Sequence, residues 1–134
     1  MEKTWSDKPQ IAVSWGEIFD KLTILEIKLS RLADPVQQSN VLNEMREIEK
    51  VVGDVSRYPA ELGPLVAQLK FINQELWEIE DGKRDYERRK CFDAGFVDLA
   101  RKVNLRNDHR AQVKKQINVL LGSIITEEKS HQPY

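Results

Sequence analysis

Cysteine and histidine are scarce in this sequence. Among 134 residues there is one cysteine, Cys91, and there are two histidines, His109 and His131. A single cysteine excludes an internal disulfide and fits a reducing compartment. Neither histidine has a second ligand at the spacing of a zinc site, so we expect no bound metal and no other cofactor.

Long apolar runs and glycine-rich phosphate loops are missing as well. No segment approaches the roughly 20 apolar residues that a membrane-spanning helix needs. The opening MEKTWSDKPQ lacks the apolar core of a secretory signal, which predicts a cytoplasmic location. With 40% hydrophobic and 32% charged residues, the composition is typical of a helix-rich globular protein.

Charge is balanced overall but distributed unevenly along the chain. Residues 82–115 hold 11 Lys/Arg and 5 Asp/Glu, a balance of +6, whereas the remainder holds 10 and 17, a balance of −7. The basic segment favours an anionic partner. A pI near 6.2, with no helix-turn-helix and no aromatic stacking platform, argues against nucleic acid as that partner.

Apolar residues recur every three or four positions in four segments, which predicts four amphipathic helices. With their capping residues, the segments cover about 14–32, 34–55, 65–86 and 93–121. Ser14 with Glu17 has capping-box spacing, and Asp34-Pro35 is a strong helix start. The prolines between 58 and 64 mark a corner. Asp93 is expected to cap the fourth helix at its start, and Gly122 to end it.

Short links between these segments predict an all-α, antiparallel four-helix bundle with a long C-terminal helical hairpin. We expect a single domain over residues 1–134, with a mobile arm at 1–12 and a tail at 123–134. The main apolar stripe of the first helix is Ile18, Leu22, Leu25, Leu29 and Leu32. Ile24 and Ile27 form a second patch, which favours either a contact within the chain or an interface between copies. We expect a homodimer, and the long hairpin can also exchange between two copies.

The fourth helix has an apolar stripe with a cationic centre. Arg106 and Arg110 occupy two positions where the rhythm of residues 96–121 calls for apolar side chains, and Asn107 and Lys114 project to the same side. Lys83 interrupts the apolar stripe of the third helix in the same way. Two carboxylates, Glu26 on the first helix and Glu80 on the third, lie at the borders of the stripes that face these cations. The candidate ligand-binding set is Glu26, Glu80, Lys83, Arg106, Asn107 and Arg110.

Two interpretations of this set remain open. An unpaired buried charge costs several kcal/mol, so each cation needs a carboxylate, a ligand or water. Cations and carboxylates can form a closed polar layer that fixes the register of the helices, as polar residues do in coiled coils. Alternatively, the cations bind a phosphate or carboxylate between helices, since the planar guanidinium suits both anions.

Two enzyme classes are alternatives to a binding protein. A chorismate-mutase-like bundle uses cations between helices to bind a dicarboxylate and to stabilise charge in the transition state. A magnesium-dependent nucleotide pyrophosphohydrolase would need the acidic face of the third helix, at Glu75, Glu78 and Asp81, to meet a second carboxylate helix. A solvated helix face is the simpler explanation of those three acids.

Several strings of this sequence carry a family resemblance. They are VSWGEIFDKLTILEIK (13–28), LWEIED (76–81), FVDLARKV (96–103), RNDHRA (106–111), IN (117–118) and EEKS (127–130). Together they resemble an uncharacterised bacterial and phage family of small helical proteins, often encoded near glycosyltransferase and surface-polysaccharide genes. The sequence departs from that family at Asn104 and His131, where an aromatic residue is expected. By matching position the resemblance points to Glu17, Asp20, Lys21, Glu26, Glu80, Asp81, Asn107, Asp108 and Arg110.

The residues and the resemblance together lead to one expected function. We expect a cytoplasmic, non-enzymatic or accessory protein that binds a partner or a small anionic ligand through its polar layer. The resemblance alone implies a role in cell-surface polysaccharide metabolism.

Overall fold

The computed structural model describes Trp5, residues 8–126 and Glu128. Over these residues the chain is all-α, as predicted, with no strand. Its helices are α1 (Trp15–Arg31), α2 (Pro35–Val52), α3 (Leu62–Arg89) and α4 (Ala94–Leu121), with a 3-10 turn at Val55–Arg57. No helix in the described part of the chain is long and apolar enough to cross a membrane. Parts of the predicted arm and tail lie outside the described residues, namely 1–4, 6, 7, 127 and 129–134, which include most of the EEKS string.

Helix termini follow the capping residues that the sequence offers. The Ser14 hydroxyl accepts a hydrogen bond from the backbone N–H of Glu17 at the start of α1. Asp34 and Asp93 accept in the same way at the starts of α2 and α4. Gly122 ends α4 in the left-handed conformation, at φ 64°. These predicted caps are confirmed. Each of them pairs backbone groups that the helix itself leaves without a partner.

Two boundaries differ from the apolar periodicity. Gly53, at φ 65°, ends α2 after Val52, so Val55, the last apolar residue of the predicted second helix, is 76% exposed. The third helix starts at Leu62 rather than Leu65. Pro64 therefore lies in the first turn, where a missing N–H breaks no helical hydrogen bond.

The core is one cluster to which all four helices contribute. α1 packs against each of the other three helices, and α3 packs against α4. The buried members of this core cluster are Phe19, Leu25, Val41, Ile48, Val52, Leu62, Leu69, Ile72, Val113 and Ile117. In the second patch of α1, Ile27 is only 3% exposed and Ile24 is half-buried. That patch is therefore largely covered by the chain's own packing.

α3 and α4 stay in contact well beyond the end of α1. Arg31, the last residue of α1, pairs with Glu78 of α3. Farther along, a Cβ placed on Gly82 would lie 2.9 Å from Cδ1 of Leu99, so the glycine lets α4 approach closely. No residue from 80 to 112 is buried. We call residues 80–103 the hairpin extension.

Candidate functional site

Arg110 lies in a polar layer between α1, α3 and α4. Its Nε and Nη2 donate to Oδ1 and Oδ2 of Asp20, at 2.9 and 2.5 Å. The Asp20 side chain is 4% exposed and that of Arg110 is 28% exposed. A bidentate, charge-assisted pair of this kind is among the stronger polar contacts in proteins. Arg110 thus pairs with Asp20 of α1, and not with Glu26 or Glu80, the two carboxylates offered as its partners by the sequence.

Asn73 of α3 brings a third helix to the same carboxylate. Its Nδ2 donates to Oδ1 of Asp20 at 2.9 Å and to Oγ1 of Thr23 at 3.0 Å. The Thr23 hydroxyl in turn donates to the backbone carbonyl of Asp20 at 2.8 Å. Asp20, Thr23 and Asn73 are all buried. Among the described residues, no buried side-chain nitrogen or oxygen lacks a hydrogen-bond partner, so the desolvation of these groups is offset.

Lys114 adds a second cation one turn along α4. Its ammonium pairs with Glu17 and lies 4.0 Å from Oδ2 of Asp20. The lysine side chain is 15% exposed, against 38% for Glu17. Two carboxylates therefore face two cations, and their formal charges sum to zero. We call Glu17, Asp20, Thr23, Asn73, Arg110 and Lys114 the polar layer.

Arg106 and Asn107 lie beside this layer. Nη1 of Arg106 is 3.4 Å from Oε1 of Glu75 on α3, and both side chains are 35% exposed. Oδ1 of Asn107 is 3.5 Å from Nη1 of Arg110. The structure thus places Asn107 beside Arg110, whereas Arg106 pairs with Glu75, one of the three acids on the acidic face of α3.

The other three predicted site residues lie elsewhere. Lys83 pairs with Glu80 of its own helix, at 3.7 Å. Glu26 pairs with Lys70 of α3, at 3.4 Å. Glu80 and Glu26 are therefore engaged by lysines, and the expected pairing of these carboxylates with the arginines of α4 is replaced by Asp20 and Glu75.

A second polar junction joins the start of α1 to the end of α4. The backbone N–H of Gly16 donates to Oδ1 of Asn118 at 2.6 Å, and Asn118 is 5% exposed. The backbone N–H of Trp15 donates to the hydroxyl of Ser123 at 2.9 Å. A Cβ on Gly16 would lie 2.6 Å from the backbone oxygen of Lys114, so only glycine fits this contact. Two of the N–H groups that the first turn of α1 leaves unpaired thereby find partners, one on α4 and one just after its end.

Sequence reasoning missed Asp20 and Asn73 as the centre of the layer. The signal for Asp20 is a second helical stripe, because Gly16, Asp20, Thr23 and Ile27 recur four, three and four residues apart and all are buried. A search for apolar residues alone does not detect this stripe, since three of its four members are not hydrophobic. As a site residue, Asp20 is indicated by the family resemblance and not by the pattern of apolar residues. Asn73 shares one flank of the third helix with Trp77 and Glu80, but that spacing does not indicate a contact with Asp20.

Three exposed carboxyls outside the layer have lowered pKa values. The backbone N–H of Phe96 is the main cause at Asp93, and the Cys91 thiol adds to it, because both donate to the ionised form. A hydrogen bond from a lysine ammonium lowers the pKa of Glu47, and a backbone N–H does so for Asp54. These shifts belong to helix caps and a surface ion pair.

The acidic face of α3 meets cations. Glu75 pairs with Arg106, and Glu78 pairs with Arg31. Within the described ranges, no group of three or more His, Cys, Asp or Glu side chains could hold a metal ion. The second carboxylate helix that a magnesium-dependent pyrophosphohydrolase needs is therefore not found opposite these acids.

Comparison with known protein families gives a match over most of the chain. A model described as a family of unknown function (DUF6165) matches residues 9–133. No curated protein and no solved structure matches the chain.

Proposed function

The chain belongs to this family, DUF6165. We propose that it is a non-enzymatic accessory protein that works by binding a partner. The observation that carries the proposal is the bidentate pairing of Arg110 with the buried Asp20. Catalysis by cations between helices requires positive charge that is free to meet charge developing in the transition state. In the polar layer, two carboxylates already oppose the two cations.

The polar layer in this proposal fixes the position of the α3–α4 hairpin. Asp20 accepts from Arg110 of α4 and from Asn73 of α3, so one carboxylate on α1 contacts both helices. A slip of any of these helices by one turn would separate the pair and leave a charge buried without its partner, which is strongly unfavourable. Polar residues use this penalty to select one register. A fixed hairpin then presents a constant surface to a partner.

The proposal extends to the arrangement of the helices. Gln68 lies beside His109, and Gly82 lies beside Leu99, so residue numbers rise along α3 as they fall along α4. Gly16 and Asn118 with Asp20 and Arg110 give the same trend for α1 and α4. These contacts support an antiparallel bundle within one domain. A homodimer is part of the proposal as well.

The cellular setting of the proposal rests on the resemblance. The strings at 13–28 and 106–111 resemble small bacterial and phage proteins encoded near glycosyltransferases. We therefore propose that the protein is an accessory factor of cell-surface polysaccharide metabolism.

An anionic ligand is a second candidate, favoured by the looser pairs next to the layer. Arg106 and Lys83 contact their carboxylates at 3.4 and 3.7 Å, longer than the contacts between Arg110 and Asp20, and they are 35% and 28% exposed. Asn107 follows Arg106 in the sequence; its Oδ1 accepts from Nη1 of Arg110, and its Nδ2 carries the donors of the amide. A phosphate or carboxylate could replace Glu75 on Arg106 and gain the Asn107 amide as a donor.

A thermal-shift screen separates the two candidates. The full chain is tested with inorganic phosphate, nucleotide sugars and dicarboxylates, beside Arg106→Leu and the control Arg46→Leu on the exposed face of α2. The accessory function predicts no saturable shift. A ligand at about 100 times its Kd would stabilise by roughly 2.7 kcal/mol. A shift lost in Arg106→Leu but kept in Arg46→Leu establishes the ligand site, and conversion of any of these compounds contradicts a non-enzymatic protein.

A further inference from the structure

Within the described part of the chain, no third helix covers the hairpin extension. Residues 80–112 contain no buried side chain, and Phe96 and Leu99 in this segment are only half-buried. Phe92 and Val97 are 55% and 53% exposed. Helices in proteins gain most of their stability from packing an apolar face against a neighbour. The extension therefore presents more unpacked surface than the rest of the bundle.

One face of α3 continues past the end of α1 as a regular stripe. Trp77, Asp81, Arg84 and Arg88 recur four, three and four residues apart, so they share that face. It is the face on which Asn73, four residues before Trp77, meets α1. Trp77 is half-buried and is not among the described side chains that pack against the core, while the other three stripe residues are exposed. We call these four residues the α3 stripe.

Charge along α3 changes sign at Gly82. Residues 75–81 carry four acids and no base, whereas residues 83–90 carry five Lys/Arg and two acids. An acidic half followed by a basic half is complementary to itself when two such helices lie antiparallel. Each acidic half then faces the basic half of the other helix, and a two-fold axis repeats every favourable pair.

We propose that a second copy of this chain covers the α3 stripe, with the two α3 helices antiparallel about a two-fold axis near Gly82. Asp81 of one copy lies opposite Arg84 of the partner subunit. Trp77 lies opposite Arg88 of the partner subunit, where an arginine over an indole ring adds a cation–π contact. The acidic half of α3 disfavours a polyanion such as nucleic acid, which would be attracted by one half of the stripe and repelled by the other.

This inference names the partner of the proposed function and to that extent rests on it. It concerns the α3 stripe, whereas the ligand screen concerns the arginines of α4. Failure of the dimer and failure of the binding function are therefore separate results.

Sedimentation equilibrium of the full chain tests the inference. Over about 1 to about 100 μM, the wild type is expected to shift from monomer towards dimer. Asp81→Arg places like charges opposite each other twice in the assembly, and so does Arg84→Asp. Each is expected to raise the dissociation constant roughly tenfold or more. The double variant Asp81→Arg with Arg84→Asp restores both pairs in reversed polarity and is expected to recover the dimer.

Arg101→Asp is the matched control, because Arg101 is an exposed arginine of α4 outside the α3 stripe. It is expected to leave the dissociation constant unchanged, and circular dichroism checks that each variant keeps its helices. Three results overturn the inference: a wild type that is monomeric throughout, a dimer that withstands both single reversals, or a double variant that stays as weak as they are.

Discussion

Asp20 and Arg110, 90 residues apart in the chain, form the bidentate pair that joins α1 to α4. The carboxylate oxygens accept from Nε and Nη2 at 2.9 and 2.5 Å, and Asn73 donates to the same carboxylate at 2.9 Å. Three helices therefore depend on one side chain that is 4% exposed. Because the hydrophobic cluster beside it is aliphatic and aromatic, this carboxylate has few tolerable substitutes.

Asp20→Asn tests that dependence, since asparagine keeps the volume and removes the charge. Arg110 and Lys114 then lose their shared counter-charge inside the layer. We expect the free energy of unfolding to fall by about 2–4 kcal/mol, moderated by the partial exposure of Arg110. Urea denaturation measures this change. Asp34→Asn is the control, because asparagine caps a helix as well as aspartate does, and a change within about 0.5 kcal/mol is expected there.

A double-mutant cycle tests whether Asp20 and Arg110 act as a unit. Arg110→Leu leaves the buried carboxylate without its main partner and is costly on its own. Combined with Asp20→Asn, the leucine leaves less charge uncompensated. The loss in free energy of unfolding of the double variant is therefore expected to be smaller, by about 1 kcal/mol or more, than the summed losses of the two single variants. Strictly additive losses would contradict a coupled layer.

Asn73→Leu removes the third contact to Asp20 with little change in side-chain volume. The carboxylate loses one of its donors, and Thr23 loses its amide partner, in a buried setting. We expect the free energy of unfolding to fall by about 1–3 kcal/mol in urea denaturation. Asn40→Leu, at an exposed position of α2, is expected to change it by less than about 0.5 kcal/mol. Equal effects at the two positions would mean that the Asn73 amide adds nothing to the layer.

Local features of the fold were predictable because their causes are local. The caps at Ser14, Asp34 and Asp93 depend on side chains that reach backbone groups two or three residues away. The end of α2, in contrast, was predicted three residues too late. It depends on a single glycine at positive φ, whereas the apolar periodicity continues to Val55 and does not show where the helix ends.

Pairing across helices was less predictable than the presence of charged positions. Arg110 stood out because it interrupts an apolar stripe, yet its partner depends on how far α1 is rotated and shifted along α4, which the pattern of one helix does not specify. Asp20 lies on a stripe with Gly16 and Thr23 that is buried but not apolar. Hydrophobicity therefore indicated which helix faces meet but not which polar residues meet within them.

Gly16→Ala tests the close approach of α1 to α4. The added Cβ would lie 2.6 Å from the backbone oxygen of Lys114 and 2.8 Å from Oδ1 of Asn118. Because a helix backbone cannot retreat alone, α1 must shift, which also weakens the hydrogen bond from the Gly16 N–H to Asn118. We expect a loss of about 1–3 kcal/mol in the free energy of unfolding, despite the better helix propensity of alanine.

Two other helical glycines serve as controls for that substitution. At Gly82 the new Cβ would meet only the end of a flexible side chain, Cδ1 of Leu99, at 2.9 Å. At Gly63 it would meet nothing within 4 Å. We expect changes below about 1 kcal/mol at both positions, because steric cost is small and alanine favours the helix. A Gly16→Ala variant as stable as these two would rule out the tight backbone contact.

Acid sensitivity of the α4 cap follows from the lowered pKa of Asp93. Hydrogen bonds from the backbone N–H of Phe96 and from the Cys91 thiol stabilise the ionised carboxylate in the folded chain. They therefore lower the pKa of Asp93 from its ordinary value of 3.8. A depressed folded-state pKa contributes stability that is fully present above the unfolded value and is lost as the pH falls through the folded value. Asp93→Asn keeps a capping oxygen that does not titrate. We therefore expect the wild type to exceed Asp93→Asn in stability by the largest margin near about pH 7, and the margin to shrink below about pH 4, in urea denaturation series at matched ionic strength. A margin that stays constant down to about pH 2.5 would contradict the assignment, because other acid-sensitive groups are common to both proteins and cancel in the difference.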